Sequence, residues 1–198
     1  MYLLQCAEPA EAIVIGIDEV GRGAVAGPLT VAAVALPLSP MIEGLDDSKK
    51  LSPKRREKLA EEITTHAIAI GISHVDPRSI DSMGMARALK TAMLEALANT
   101  ELEPDLLLID GNPMHIHPAE QSIIKGDGSI ACIAAASIVA KVKRDALMCE
   151  LDVVQPEYGF SQHKGYASAA HIEAIRTHGL SSYHRKTFCQ NFMQERLF

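Results

Sequence analysis

Four carboxylates stand where apolar runs end. Asp18 and Glu19 follow the run Ala12-Ile13-Val14-Ile15, Asp110 closes "PDLLLIDG" (104–111), and Asp127 lies near the end of "QSIIKGDG" (121–128). In an open α/β sheet, functional groups gather beyond the carboxyl ends of parallel strands. Carboxylates brought together repel one another, so a cation must offset them or one must hold a proton. An oxygen-only donor set suits a hard divalent ion, Mg²⁺ or Mn²⁺. The plainer reading makes each acid a helix cap or a solvated turn, since acids are common there; it is less economical for four acids than for one. Neighbours in a strand point to opposite faces. Asp18 and Glu19 therefore reach one centre only if the chain leaves strand geometry there, and Gly21 and Gly23 in "GIDEVGRGAVAGP" (16–28) ease that exit.

"GRGAVAG" also looks like a dinucleotide-binding loop, but that loop must open a helix. Here Pro28 and the β-branched "LTVAAVAL" follow, which reads as strand. The glycines then serve close approach of a substrate to main-chain groups, with Arg22 available to phosphate. "MHIHP" (114–118) lies between prolines with no third soft ligand near it in sequence, so a structural role outweighs a metal pair. "HKGYAS" (163–168) offers an aromatic, Tyr166, for packing or for stacking on a sugar or base. "KRRE" (54–57) and "SYHRKTF" (182–188) are basic stretches, each either a solvated surface or a phosphate contact.

The elements that must position these residues follow from pattern. Continuous apolar runs predict strands at 12–18, 29–36, 67–75, 104–111 and 121–128. Gly27-Pro28 between the first two predicts an antiparallel pair. Ser52-Pro53 predicts a helix start, running to about His66. Asp76-Pro77 opens a helical region continuing through "MARALKTAMLEALA". A long helix is expected over 129–152, and shorter ones near 168–177 and 189–197. The order implies α/β: an antiparallel meander, then parallel crossover strands, in a mixed sheet flanked by helices.

The 198 residues, 47% hydrophobic and 22% charged, suit one domain with a real core. Four widely spaced cysteines without a C-x-x-C pair argue against disulfides or zinc and for a reducing cytosol. No secretory signal is legible, and Ile130 to Ala140 is too short to span a bilayer, so a cytoplasmic protein without membrane contact is expected. The net charge of −6 divides unevenly. Residues 1–140 carry 11 Lys/Arg against 19 Asp/Glu, and residues 141–198 carry 8 against 6, with six bases crowded into 49–58. A polyanion would find local positive patches while the acids serve another purpose.

Taken in order, "GIDEVGRGAVAGP", "LDDSKKLS", "LLIDGN", "KGD", "AAASIVAKVKRD", "YGFSQHKGY" and "HRKTF" resemble bacterial ribonuclease HII, a type 2 ribonuclease H, over about residues 13 to 188. The resemblance implies a ribonuclease H-like fold with a mixed five-stranded sheet, over about 11–198, with a core of about 11–150 and a helical C-terminal extension of about 151–198. It implies cleavage of RNA in RNA–DNA hybrids and incision 5′ of single ribonucleotides in duplex DNA, by two-metal-ion hydrolysis leaving 5′-phosphate and 3′-hydroxyl ends. The family's catalytic and metal-binding acids map onto Asp18, Glu19, Asp110 and Asp127. Its Gly-Arg-Gly motif maps onto Gly21, Arg22 and Gly23, and its substrate-sensing tyrosine onto Tyr166. Ala24 departs from the family's usual proline. Ser48, Lys49, Lys50, Lys141, Lys143, Lys164, His184, Arg185 and Lys186 are substrate-binding candidates, mostly toward backbone phosphates. Barely a dozen residues precede the first strand, so the extra N-terminal domain of the type 3 enzymes is not expected. A monomer is expected, and "QNFMQERLF" is weighed as a sliding-clamp tail against a packed terminal helix. The rival class is a non-catalytic nucleic-acid-binding module, which has no use for clustered acids.

Overall fold

A computed structural model describes residues 12–194. Five strands form one sheet in the order β3-β2-β1-β4-β5: β1 (Val14–Val20), β2 (Leu29–Ala35), β3 (Ala69–Val75), β4 (Leu106–Asp110) and β5 (Glu120–Ile123). β2 runs antiparallel to β1 and β3, while β4 runs parallel to β1 and β5 parallel to β4. The mixed sheet expected from the sequence is the one observed.

Strand alternation sorts the core into two layers. Ile15 and Ile17 of β1, Val31 and Ala33 of β2, and Ile109 of β4 face helix α3 (Met85–Ala98) through Ala88, Ala92, Met93 and Ala96. Ala32 and Val34 face α1 (Pro53–His66) and α4 (Ala131–Val154), packing with Leu59, Ile63 and the alanines 134–136. Gly16 shows how close α4 lies, since a Cβ there would fall 2.3 Å from the Cys132 carbonyl carbon.

Helix starts follow the capping chemistry. The Ser52 hydroxyl accepts from Arg55 N–H, with Pro53 next. Asp76 accepts from Arg78 and Ser79 N–H to open α2 (Pro77–Met83). The single helical region expected from Asp76 onward is divided, because Gly84 at φ 80° ends α2 before α3 begins. The fifth strand is also shorter than its apolar run suggests, and Asp127 falls in a 3-10 turn, Gly126–Gly128, leading into α4.

After α4 the chain adds α5 (Phe160–His163), α6 (Ala169–His178) and α7 (Lys186–Gln194). This extension docks on the loop that follows β1. Ala26 packs with Met148, Tyr158 and Phe160, Val25 packs with Ile175 and Cys189, and Ala26 bridges to His184. Among the described residues Cys149 and Cys189 are free thiols, and no helix is long and apolar enough to cross a membrane.

Candidate active site

β1 and β4 are parallel neighbours, with Ile17 opposite Ile109. One residue further on, Asp18 and Asp110 stand side by side at the carboxyl ends. Both fall on the α4 face, by alternation from Gly16 and Leu108. Asp110 Oδ1 accepts from Gly126 N–H at 2.7 Å, which ties the turn bearing Asp127 to the end of β4. Glu19 falls on the opposite face by parity.

The electrostatics show an excess of negative charge. Burial, reinforced by the Glu19 and Asp110 charges, pushes the Asp18 carboxyl up to about 8, against opposing hydrogen bonds from Ser137 and the Glu19 N–H. Burial raises Glu19 too, with Asp110 adding to it and Arg22 and Lys49 opposing. Asp127 is raised by burial, then by Asp47 and Asp110, against Lys49. The compensating cations sit on the rim. Lys49 Nζ lies 3.5 Å from Asp127, and Arg22 Nη1 lies 3.7 Å from Glu19. Desolvation works to lower Lys49, but Asp47, Asp127 and Asp18 outweigh it and hold its ammonium above the usual range.

The structure corrects one expectation at this point. Strand geometry continues through Glu19 to Val20, and the exit comes at Gly21 (φ 88°). Glu19 therefore leaves the strand on the face opposite Asp18, yet from the end of β1 its carboxyl still feels the Asp110 and Lys49 charges of the same site. Among the described residues no three His, Cys, Asp or Glu are assembled to hold a metal ion. The four acids share one electrostatic neighbourhood rather than a finished cage. Their chemistry still fits a hard divalent cation: every donor is a carboxylate oxygen, and Asp18 sits at a raised pKa chiefly because burial strips water from its charge, with the Glu19 and Asp110 charges adding to it.

Ser137, the hydroxyl inside the apolar face of α4, was not singled out from the sequence. Its Oγ lies 3.0 Å from the buried Ser48 Oγ and also bonds Asp18. Ser137 thus links Ser48 to the Asp18 carboxyl in one hydrogen-bonded chain. Ser48 is thereby a support behind Asp18, buried at 3% exposure, and not the surface contact expected of it.

The Gly21-Arg22-Gly23 turn is held from beneath by two buried arginines. Arg144 Nε, Nη1 and Nη2 donate to the carbonyls of Pro28, Lys164 and Ala26. A Cβ at Gly21 would meet Arg144 Nε at 2.2 Å, so only glycine fits over it. Arg185 donates through Nε and Nη2 to the Gly27 carbonyl and through Nη1 to that of Arg22. Val25 and Ala26 N–H both bond the Gly165 carbonyl. The turn and the Tyr166 segment are thus one bracket. Tyr166 is 39% exposed, and its ring centroid lies 5.5 Å from the Arg144 guanidinium.

Arg185 and His184 are corrections as well. Both are buried, and their polar atoms are engaged within the protein, so neither offers a surface contact for phosphate. The histidines fix one another's protons. His171 Nδ1 bonds the Tyr166 carbonyl and so must donate. Its Nε2 then accepts from His184 Nε2 at 3.1 Å, and His184 Nδ1 accepts from Ser181 N–H. Burial is the main cause that pushes both down to about 4.

The remaining lysines differ in freedom. Lys50 pairs with Asp46 at 3.0 Å and Lys141 with Asp145 at 2.7 Å. Lys164 Nζ donates to the Ser161 carbonyl. Lys143 and Lys186 are exposed. Sequence reasoning missed Arg144 as well as Ser137 and His171. For Arg144 the signal was present: it lies four residues from both Ala140 and Met148, on the buried stripe of α4.

Comparison with known proteins identifies the fold and the family. The PCNA:RNase HII complex from Archaeoglobus fulgidus matches with a TM-score of 0.74 at 30% identity, covering 87% of this chain and 93% of that one. Bst-RNase HIII, solved in complex with Mn²⁺, matches with a TM-score of 0.72 at 19% identity, covering 93% of this chain and 71% of that one. The fold is ribonuclease H-like, the framework of a nuclease. The family model described as Ribonuclease HII matches residues 15–191. Ribonuclease HII of Bacillus mycoides is 50% identical over 175 residues, spanning 88% of this chain and 68% of its own. The chain belongs to the ribonuclease HII family. It is a phosphodiester-cleaving hydrolase with ribonuclease H activity.

Proposed function

We propose that this enzyme cuts the RNA strand of RNA–DNA hybrids and incises 5′ of single ribonucleotides embedded in duplex DNA, as a first step of ribonucleotide removal. The observation that carries the reading is the union of buried, uncompensated carboxylates with the Gly21 turn and Tyr166 in one braced unit.

Asp18, Asp110 and Asp127 would hold Mg²⁺ or Mn²⁺ from the α4 side, with Glu19 joining from the end of β1. Two such ions, when bound, activate the attacking water and stabilise the charged phosphate and leaving oxygen. Ser137 orients Asp18 toward that task. The Asp110–Gly126 bond keeps the Asp127 turn beside β4. Arg22, 62% exposed, is free to swing from Glu19 to a substrate phosphate. Only the 2′-hydroxyl distinguishes a ribonucleotide from its DNA neighbours. It donates and accepts, so the main-chain groups of the Gly21–Gly23 turn suit it, and Tyr166 packs on the adjoining sugar. Products would be a 5′-phosphate and a 3′-hydroxyl.

Residues 11–198 act as one unit in this reading, as a monomer in the cytoplasm. Lys49, Lys50, Lys143, Lys164 and Lys186 are the remaining candidates for backbone phosphates. The Archaeoglobus fulgidus relative in complex with PCNA supports a sliding clamp as a partner in this reading. Residues 195–198 of the tail that would dock there lie outside the described residues. A non-catalytic binding module fits less well, because it gains nothing from buried acids that repel one another.

The test is cleavage of a hybrid and of a DNA duplex carrying one ribonucleotide, with Mg²⁺ or Mn²⁺ and with EDTA. Both should be cut, and EDTA should stop both. Tyr166→Ala should spare folding and depress the single-ribonucleotide cut more than the hybrid cut. Equal losses on the two substrates would remove Tyr166 from sugar sensing.

A further inference from the structure

Behind the bracket lies a cavity of about 560 Å³ between α2 and the loop that leads into α7. Arg78 enters it from the first turn of α2, and Lys186 enters from the start of α7. Both residues are exposed, and neither side chain has an ion-pair partner among the described residues. Ser82 and Ser182 add hydroxyls to the same wall.

One acid shares the cavity. Asp81 is already committed: Oδ2 accepts from Lys186 N–H at 2.7 Å, and Oδ1 accepts from the Thr187 N–H and hydroxyl. It caps α7 and anchors α2 to the extension. His184 forms part of the lining but is kept neutral chiefly by burial, with its hydrogen-bond partner His171 adding to that. The balance is two unpaired cations against one carboxylate whose lone pairs are engaged. That is the chemistry of an oxyanion site.

Its position relates it to the substrate. The loop that walls it carries Arg185, which bonds the Arg22 carbonyl, and His184, which bridges to Ala26. The cavity wall is thereby tied directly to the turn proposed to read the substrate.

We propose that this cavity is a second phosphate subsite, taking a backbone phosphodiester of the duplex away from the cleaved bond, with Arg78 and Lys186 as its charged contacts. The inference rests on the proposed substrate; it joins Lys186, of the "HRKTF" stretch, to Arg78, a residue that none of the family motifs includes.

The test is binding of a labelled RNA–DNA hybrid in EDTA across a salt series, with hybrid cleavage in Mg²⁺ measured alongside. Each phosphate contact contributes about 0.9 to the slope of log affinity against log salt. Arg78→Gln should flatten the slope by about that amount, weaken binding several-fold at low salt and raise KM while leaving kcat near wild type. Adding Lys186→Gln should flatten it by about as much again. Arg87→Gln, the same charge change at an exposed site on α3, should leave the slope alone. If the wild type cuts the hybrid and Arg78→Gln keeps the wild-type slope, the subsite is wrong and the function reading stands. If the wild type neither binds nor cuts the hybrid, the function reading falls and the subsite with it.

Discussion

The carboxyl ends of β1 and β4 bury negative charge and leave much of it unmatched, whereas the space beneath the Gly21–Pro28 loop buries positive charge and gives every one of its donor nitrogens an acceptor. Each nitrogen of the Arg144 and Arg185 guanidinium groups has a carbonyl acceptor. Asp18, by contrast, has Glu19 and Asp110 as neighbours and is pushed up to about 8, chiefly by burial. A fully hydrogen-bonded buried group is spent on stability, while an unsatisfied charge keeps free energy available for a ligand. The first region is built to receive cations and substrate, the second to hold still.

Substitutions should therefore act oppositely in the two regions. Asp110→Asn should lose cleavage by on the order of 10²- to 10³-fold or more, yet keep its circular dichroism. Its Tm in chelator should equal or exceed that of wild type, because a like charge beside Asp18 is gone. Near-normal turnover would end the metal-site reading. Arg144→Met should do the reverse. It strips donors from three carbonyls, at about 1–3 kcal/mol for each acceptor left unpaired. The Tm should fall by on the order of 10 °C. Arg144→Lys, which keeps one charged donor group, should recover part of that loss. If Arg144→Met melts with the wild type, the bracket is not held from beneath.

Acid separates the regions by sign. Asp18 is raised from 3.8 to about 8, so the native state binds the extra proton between those values, and the contribution to stability grows as pH falls from 8 toward 4. His171 and His184 are lowered from 6.5 to about 4, so the unfolded chain binds the extra protons, and stability is lost as pH falls from 6.5 to 4. Thermal melts in chelator across this range should show it. Asp18→Asn should leave the histidine loss bare and steepen the decline on acidification. His171→Asn should flatten the decline, and its Tm deficit against wild type should shrink toward pH 4. Parallel curves for wild type and His171→Asn would refute the neutral histidine chain. His163, stacked on His171 with ring centroids 4.1 Å apart, is the titratable neighbour that adds to the cost of a charge there.

The two regions were also unequally legible. The acids could be read because each stands at the end of an apolar run, and strand ends are local features of sequence. The Gly-Arg-Gly turn and the Ser52-Pro53 helix start are local too. What the sequence could not show is demand created at long range. The carbonyls of Ala26, Gly27 and Pro28 need donors only because the extension seals them from water. The donors come from Arg144 and Arg185, some 118 and 158 residues away in sequence. By composition a basic residue reads as surface charge, which is why the sequence points Arg185 and its neighbour His184 toward phosphate. The division of α2 from α3 was missed because either side of Gly84 has helical spacing, and the break is a single left-handed residue.

The smallest effect is expected at Lys141, where both regions meet α4. Sequence makes it a phosphate contact, but its ammonium lies 2.7 Å from Asp145 Oδ1, one turn further on, and its side chain is only 18% exposed. A Lys-to-Asp pair in that direction along a helix is the weaker orientation, worth about 0.3 kcal/mol. Lys141→Gln should therefore lower stability by well under 1 kcal/mol and leave the salt slope of hybrid binding unchanged, since the charge it removes is already balanced. Arg78→Gln removes one charge of the same sign from a cavity with no free anion. If Lys141→Gln flattened the slope as Arg78→Gln is expected to, Lys141 must leave Asp145 for the substrate, and the duplex would have to lie along α4 instead of along the wall of the extension.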